Sequence, residues 1–284
     1  MRNILILASN VDFKLVDALR IINAEEANRI VNTSKILKEN LSKCKNVQVF
    51  MVGDGKSDLT LEQIGQVLEK LDKSQPLTII YNGHGKVGGT GFEFITGENQ
   101  TIKVQDMFNL IKSKRGSNPV DFFSTACYGG VMHEVRDLLP DKSVLVSLTD
   151  AKKENNAGDF MDFARNFPTE TKVELTASNL LNLYLQTSLV NRFSPCISKS
   201  GGMTYNLDLM LQDFIGRRQQ VGDLQDKVTE GVLLPSTLEV VPKLNNAKSQ
   251  WDIYAKDYGK ALSVVFTEEM PKIARHNNMS YNNR

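Results

Sequence analysis

The sequence predicts an α/β protein: a mainly parallel sheet with helices on both faces, followed by a mostly helical C-terminal region. Short, nearly continuous apolar runs at Asn3–Ala8, Val47–Val52, Thr78–Tyr81 and Val120–Phe123 read as strands buried on both faces. Segments of helical period fall between them, the alternation a parallel sheet requires. Beyond residue 150 the strand pattern fades. The expected organisation is therefore a core over residues 1–150 and a helical region over 151–284, the latter either separate or completing the same domain.

Taken in order, Asn3–Ala8 is the first strand and Ser9–Asp12 its polar outlet. Leu15–Leu41 carries helical spacing through Leu15, Leu19, Ile22, Ile30, Val31, Leu37 and Leu41. Val47–Val52 is the second strand, and Gly53-Asp54-Gly55 the turn after it. Asp58 and Thr60 are candidate caps for a helix through Leu71. Pro76 opens a strand that runs out at His84, into the glycine-rich stretch Gly85–Gly91, which reads as a mobile backbone suited to close approach. Phe92–Ile95 and Thr101–Val104 form a small hairpin, Gln105–Lys112 a short helix, and Gly116–Pro119 the break before the next strand. A helix from Gly129 ends before Pro140, and Ser143–Leu148 is a further strand. Asp150–Gly158 is the best loop in the chain. After it Phe160–Phe167, Leu175–Leu189, Leu207–Ile215 and Trp251–Tyr258 look helical, Val264–Phe266 reads as one late strand, and Asn277–Arg284 as a frayed tail.

Bulk properties narrow the function classes. The 284 residues are 41% hydrophobic and 24% charged, with a formal net charge of +1. That is the composition of a soluble globular protein, with no overall electrostatic case for a nucleic-acid partner. The early apolar run Ile4–Ala8 is too short for a secretion signal or a membrane span. Cys44, Cys127 and Cys196 are odd in number and widely spaced, showing neither a disulfide framework nor zinc spacing. The expected location is the cytoplasm, with delivery by a signal-less route left open, and no metal, cofactor or membrane partner is expected.

Chemistry concentrates at two strand ends. Thr78-Ile79-Ile80-Tyr81-Asn82-Gly83-His84-Gly85 and Val120-Asp121-Phe122-Phe123-Ser124-Thr125-Ala126-Cys127-Tyr128-Gly129-Gly130 each run from a buried strand into a glycine turn. Neighbouring parallel strands lie about 4.8 Å apart, so the two tips bring His84 and Cys127 to one substrate. Ligands of such sheets bind at the carboxyl ends of strands, where both residues fall. A thiolate nucleophile with an imidazole base needs this juxtaposition. Either residue alone would be bland, since histidines are common in turns and cysteine behaves as a small buried hydrophobe.

The paired motifs resemble those of the caspase-like cysteine peptidases, the clan of caspases, legumains, gingipains, clostripain and toxin self-processing domains. The Gly-His-Gly-Lys form is most similar to the toxin-processing domains, and Ala126-Cys127 before two glycines is nearer the legumain and clostripain style. The resemblance covers roughly residues 1–150 and implies a caspase-haemoglobinase-like fold and a cysteine endopeptidase. It implies Cys127 as nucleophile, His84 as general acid and base, and the backbone N–H groups of Gly85 and Cys127 as the oxyanion site. Each such donor is worth about 3 kcal/mol of barrier. The thiolate, of ordinary pKa roughly 8.5, would be favoured by the imidazolium and by the helix N-terminus at Gly129-Gly130.

Asn10 and Asp12, in the loop after the first strand, are candidates to orient the histidine or bind substrate, although Asp12 also suits a helix cap. The strand Ser143–Asp150 resembles the clan's substrate strand, which pairs with an extended peptide. Ser147, Thr149 and Asp150 would then line the specificity pocket. An acidic Asp150 there would favour a basic P1 side chain, whereas the acidic residue that Arg-specific clostripain-like enzymes place two before the cysteine is Thr125 here, so the preference stays open.

His133, Glu134 and Asp137 fall short of a zinc ligand set and read as surface or packing residues. The pairs Lys152-Lys153 and Arg217-Arg218 read as solvated charge. The alternatives in other classes are a non-enzymatic interaction module on the same scaffold, or an acyltransferase or transamidase using the same dyad. The expected partner is a protein or peptide substrate.

Overall fold

The structure, a computed structural model, describes residues 1–9, 29–53, 57–97, 100–152, 157–187, 195–202 and 204–206. By its internal contacts the chain divides into residues 1–205 and 206–284, and only Asn206 of the second unit lies within the described residues. The expected elements at 207–215, 251–258 and 264–266, the frayed tail, the first half of the Leu15–Leu41 helix, and Asn10 and Asp12 lie outside them.

A seven-stranded sheet forms the centre, in the order β10 (Thr204–Asn206), β9 (Cys196–Lys199), β8 (Val144–Ser147), β7 (Val120–Ser124), β3 (Leu77–Asn82), β1 (Arg2–Ala8), β2 (Val47–Val52). Strands β1, β2, β3, β7 and β8 run parallel, so their carboxyl ends share one edge. Ile4–Ala8 and Leu77–Asn82 are buried without interruption, as an apolar run covered on both faces must be. The α/β class and mainly parallel sheet read from the alternation are thus observed.

On one face, α2 (Leu61–Lys70) and α3 (Val104–Arg115) bring Ile64, Leu68, Met107, Phe108 and Ile111 against Leu5, Leu7, Ile79, Tyr81 and Phe122. Fully burying one such side chain contributes about 1.5–3 kcal/mol. Thr60, one of the two expected caps, starts α2: its hydroxyl accepts from the Gln63 N–H at 3.2 Å, and the Gln63 side chain accepts from the Thr60 N–H at 3.0 Å. This reciprocal box satisfies two donors that helix geometry leaves over. Elsewhere, α1 (Arg29–Leu41), α4 (Ala157–Arg165) and α5 (Ala177–Thr187) carry a second apolar cluster. There Phe123 of the sheet stacks on Phe160 at 6.2 Å, and Phe163 meets Tyr184 at 5.4 Å.

Two parts of the architecture depart from the expectation. The glycine-rich stretch is a strand, β4 (His84–Gly88), which pairs antiparallel with β5 (Gly91–Ile95). With β6 (Thr101–Lys103) it makes a three-stranded sheet instead of a two-stranded hairpin. Glycine is needed there for closeness: a Cβ on Gly85 would lie 2.5 Å from the Phe92 ring. The chain after residue 150 also supplies strands, β9 (Cys196–Lys199) and β10 (Thr204–Asn206), and β9 pairs antiparallel with β8. No described helix is long and apolar enough to cross a membrane.

Candidate active site

The register of β3 against β7 ends at Tyr81↔Ser124. His84 lies three residues beyond the first and Cys127 three beyond the second, so the two leave the sheet at the same level. Backbone bonds carry the alignment past the formal strand ends. Thr125 N–H donates to Tyr81 O at 3.0 Å, Ser9 N–H to Asn82 O at 3.0 Å, and Leu148 N–H to Ser124 O at 3.0 Å. The outlets of β1, β3, β7 and β8 are thereby fixed side by side at the carboxyl edge. Gly85 closes the gap between the turns, because a Cβ there would stand 2.9 Å from the Cys127 carbonyl oxygen.

His84 is half-buried, and burial pushes its imidazole below the ordinary value of 6.5. That direction favours the neutral imidazole at pH 7, the form able to accept a proton. Behind it the Tyr81 hydroxyl lies 2.9 Å from the His84 carbonyl and 2.8 Å from that of Ile95, sharing its one hydrogen between them. Tyr81 is fully buried, and burial raises its phenol so far that it stays protonated. It is a fixed donor holding the start of β4.

The cysteine turn is built by a left-handed residue and two glycines. Tyr128 has φ 58° and ψ 21°, uncommon for a bulky residue, and swings the chain from β7 into the 3-10 segment Gly129–Leu138. A helix was expected over these residues. The 3-10 winding and a kink at Val135 (φ −113°, ψ 18°) are its departure from the α form. The N–H of Gly129, offered above as part of a helix N-terminus for the thiolate, instead donates to the Thr149 hydroxyl at 2.8 Å. A Cβ on Gly130 would lie 2.4 Å from the Ala151 nitrogen, so the double glycine lets this segment press on the outlet of β8.

Ser147 and Thr149 were expected to line a specificity pocket, but both are fully buried with committed hydroxyls. Thr149 Oγ1 donates to Ala126 O at 2.9 Å while accepting from Gly129, so it braces the cysteine turn from both sides. Ser147 Oγ donates to Thr149 O at 2.8 Å and lies 3.1 Å from His133 Nε2. Asp150 is half-buried at the β8 outlet, where its carboxylate accepts from the Lys152 N–H at 2.7 Å. The pairing expected of Ser143–Asp150 also needs correction. Along Val144–Ser147 the strand lies between β7 and β9, so neither edge is open to a peptide. Only the chain beyond the Ser147↔Cys196 pair extends past its neighbour β9.

His133 is a packing residue. Its ring nitrogens meet Ser198 Oγ at 2.7 Å and Ser147 Oγ at 3.1 Å, and burial, with the nearby Arg136 charge, pushes its pKa down to about 3. Glu134 is exposed. Among the described residues no three His, Cys, Asp or Glu side chains gather as a metal site requires. Cys44 is buried, and burial raises its thiol. A cavity of about 810 Å³ opens at the opposite, amino edge of the sheet, beside Arg2, Cys44, Lys45, Pro76 and Glu174. Size alone does not make it the site, because chemistry in such sheets belongs to the other edge.

Sequence reading missed Tyr81, Asn82 and Thr125, which hold the two turns. The signal available was a polar residue at the end of each apolar run, directly before each motif.

No family model matches the chain, and no curated protein matches it. Solved structures similar to it include the Drosophila initiator caspase Dronc, at 8% identity and a TM-score of 0.42, over 71% of this chain and 81% of that one. Another is a secreted C11 cysteine protease of Bacteroides thetaiotaomicron, "iotapain", at 10% identity and a TM-score of 0.41, over 70% of this chain and 66% of that one.

Proposed function

We propose that the protein is a cysteine endopeptidase in which Cys127 is the nucleophile and His84 the acid and base. The observation that carries the reading is the matched exit of the two residues from adjacent parallel strands, with Gly85 packed on the Cys127 carbonyl. The thiol proton passes to His84 and the sulfur attacks the scissile carbonyl carbon. As the tetrahedral intermediate collapses, the carbon–nitrogen bond breaks and His84 returns the proton to the leaving amine. Water, deprotonated by His84, then attacks the thioester, and the carboxylic acid leaves Cys127 as the thiol. The backbone N–H groups of Gly85 and Cys127 are the proposed donors to the oxyanion. The paired motifs, which resemble those of caspase-like peptidases, point the same way.

The test is hydrolysis of a mixed peptide library by the purified protein, followed by mass spectrometry. Cys127→Ala and His84→Ala are each expected to remove cleavage while circular dichroism stays that of the wild type. Turnover that persists in either folded variant would overturn the assignment.

Self-cleavage in the Asp150–Gly158 loop is part of the same reading, because that loop follows directly on the β8 outlet beside the cysteine turn. Wild-type protein incubated at high concentration is expected to lose intact mass there, and Cys127→Ala to keep it. One full-length mass in both samples would remove this part and leave the peptidase reading standing.

A further inference from the structure

We propose that Thr125 and Asn82 are positioning residues that clasp the histidine turn to the cysteine turn, an inference resting on the peptidase reading of the site. The regular ladder between β3 and β7 stops at Tyr81↔Ser124, and Thr125 N–H to Tyr81 O, at 3.0 Å, is its last rung. Beyond that rung side chains join the turns as well. The Thr125 hydroxyl lies 3.3 Å from the Gly83 nitrogen and 3.1 Å from Asn82 Oδ1, so one residue of the cysteine turn holds two of the histidine turn. His84 is two residues on from Asn82, and Cys127 two on from Thr125.

The directions of these bonds follow from chemistry. Asn82 Nδ2 lies 3.1 Å from the Ile30 carbonyl, which can only accept, so the nitrogen must face α1. The same nitrogen reaches Ser34 Oγ at 2.9 Å. Asn82 Oδ1 is thereby aimed at Thr125, whose hydroxyl must donate its one hydrogen there. A lone pair of that hydroxyl is then left for the Gly83 N–H. The main chain of Asn82 is held as well, its carbonyl accepting from Ser9 N–H at 3.0 Å. Ser34, Asn82 and Thr125 are all buried, so water does not substitute for a lost partner. Valine fills the volume of threonine but can do neither half of this exchange. Serine can do both.

A reacting pair displaced by about 1 Å loses on the order of 100-fold in rate, so a device that fixes two turns should show in the chemistry before it shows in the fold. The probe is alkylation of Cys127 by iodoacetamide between pH 5 and 8, read by mass spectrometry. The quantity followed is the part of the rate that His84→Ala removes. Thr125→Val is expected to lower that His84-dependent part by about tenfold or more, with circular dichroism unchanged, and Thr125→Ser to keep it within about threefold of wild type. A His84-dependent rate retained in Thr125→Val, or lost equally in Thr125→Ser, would overturn the clasp alone. If wild type and His84→Ala alkylate alike, the peptidase reading falls and the clasp with it. Should Thr125→Val not fold, Asn82→Ala carries the test. It removes the acceptor for the Thr125 hydroxyl, so the same loss is expected and an unchanged rate overturns the proposal.

Discussion

A methyl group added at Gly85 would meet Phe92 Cζ at 2.5 Å, Phe92 Cε2 at 2.7 Å and the Cys127 carbonyl oxygen at 2.9 Å. None of these can yield cheaply. The Phe92 ring is buried edge-on to Phe94 at 5.1 Å, and the oxygen is main chain. Gly85→Ala is therefore expected to cost about 1–3 kcal/mol by overpacking, and to lower Cys127 alkylation as the turn is pushed away. Urea unfolding checks the first expectation, and wild-type stability in the variant would show that the turns do not touch here. His84 and His133 make pH expectations of different kinds. Burial holds His84 below 6.5 in the free protein, so the acidic limb of kcat/KM should fall below pH 6.5. A limb above that value would show an imidazolium stabilised by its surroundings. His133 titrates at about 3 when folded and near 6.5 when unfolded. Between those values the unfolded chain holds one more proton, so its contribution to stability is present above about pH 6.5 and lost as pH falls toward about 3. In that window the wild type should lose up to about 1.4 kcal/mol per pH unit more than His133→Gln. Parallel curves of unfolding free energy against pH would sink the assignment.

Among the elements, the 3-10 segment and the outlet of β8 depend on each other. Gly130 has the Asp150 carbonyl carbon 2.5 Å and the Ala151 nitrogen 2.4 Å from where a Cβ would sit, and neither backbone atom can rotate aside. Gly130→Ala should thus separate the outlet from the cysteine turn, lowering both melting temperature and Cys127 reactivity. Gly116→Ala is the control, with open space around its Cβ position but a φ of +62°. Its penalty is confined to backbone strain remote from the turn. Equal reactivity in the two variants would count against the coupling. The strands that bear the two motifs were legible because the short apolar stretches Ile79-Ile80-Tyr81 and Phe122-Phe123, each closed by turn residues, have little alternative to a doubly covered sheet. Strand β9 was not legible. Cys-Ile-Ser-Lys offers two apolar residues, its Ser198 hydroxyl is buried only because His133 receives it, and that partner lies 65 residues away. Strand β4 was hidden by glycines that local propensity assigns to loops. Gly85 is there for its contact with Phe92 and Cys127, which no local pattern contains. In the same way Ser147 and Thr149 were placed correctly at the β8 outlet, but the direction of their side chains depends on a 3-10 winding invisible in the sequence.

At the scale of the whole sheet, the two edges divide the work. The carboxyl edge carries the proposed dyad, His84 and Cys127, and the residues that brace their turns. At the amino edge Arg2 ties β1, β3 and β7 together: its guanidinium donates to Thr78 Oγ1 at 2.8 Å, Asp121 Oδ2 at 2.6 Å and Glu174 Oε1 at 2.6 Å. Asp121 is mostly buried, and burial pushes its carboxyl above the ordinary value in spite of Arg2, so removing water is only partly offset by the pair. Glu174 is largely exposed and adds little. Arg2→Leu leaves a buried carboxyl without its cation and should destabilise the protein by about 3 kcal/mol or more. Arg2→Leu with Asp121→Leu should recover part of that loss, because an apolar pair carries no desolvation cost. Neither change reaches the carboxyl edge, so the rate of Cys127 alkylation per folded molecule should match wild type at temperatures where each variant is folded. A folded Arg2→Leu protein with slowed Cys127 would mean that strain crosses the sheet from one edge to the other, and that the dyad is held by the whole strand and not by the turns at its end.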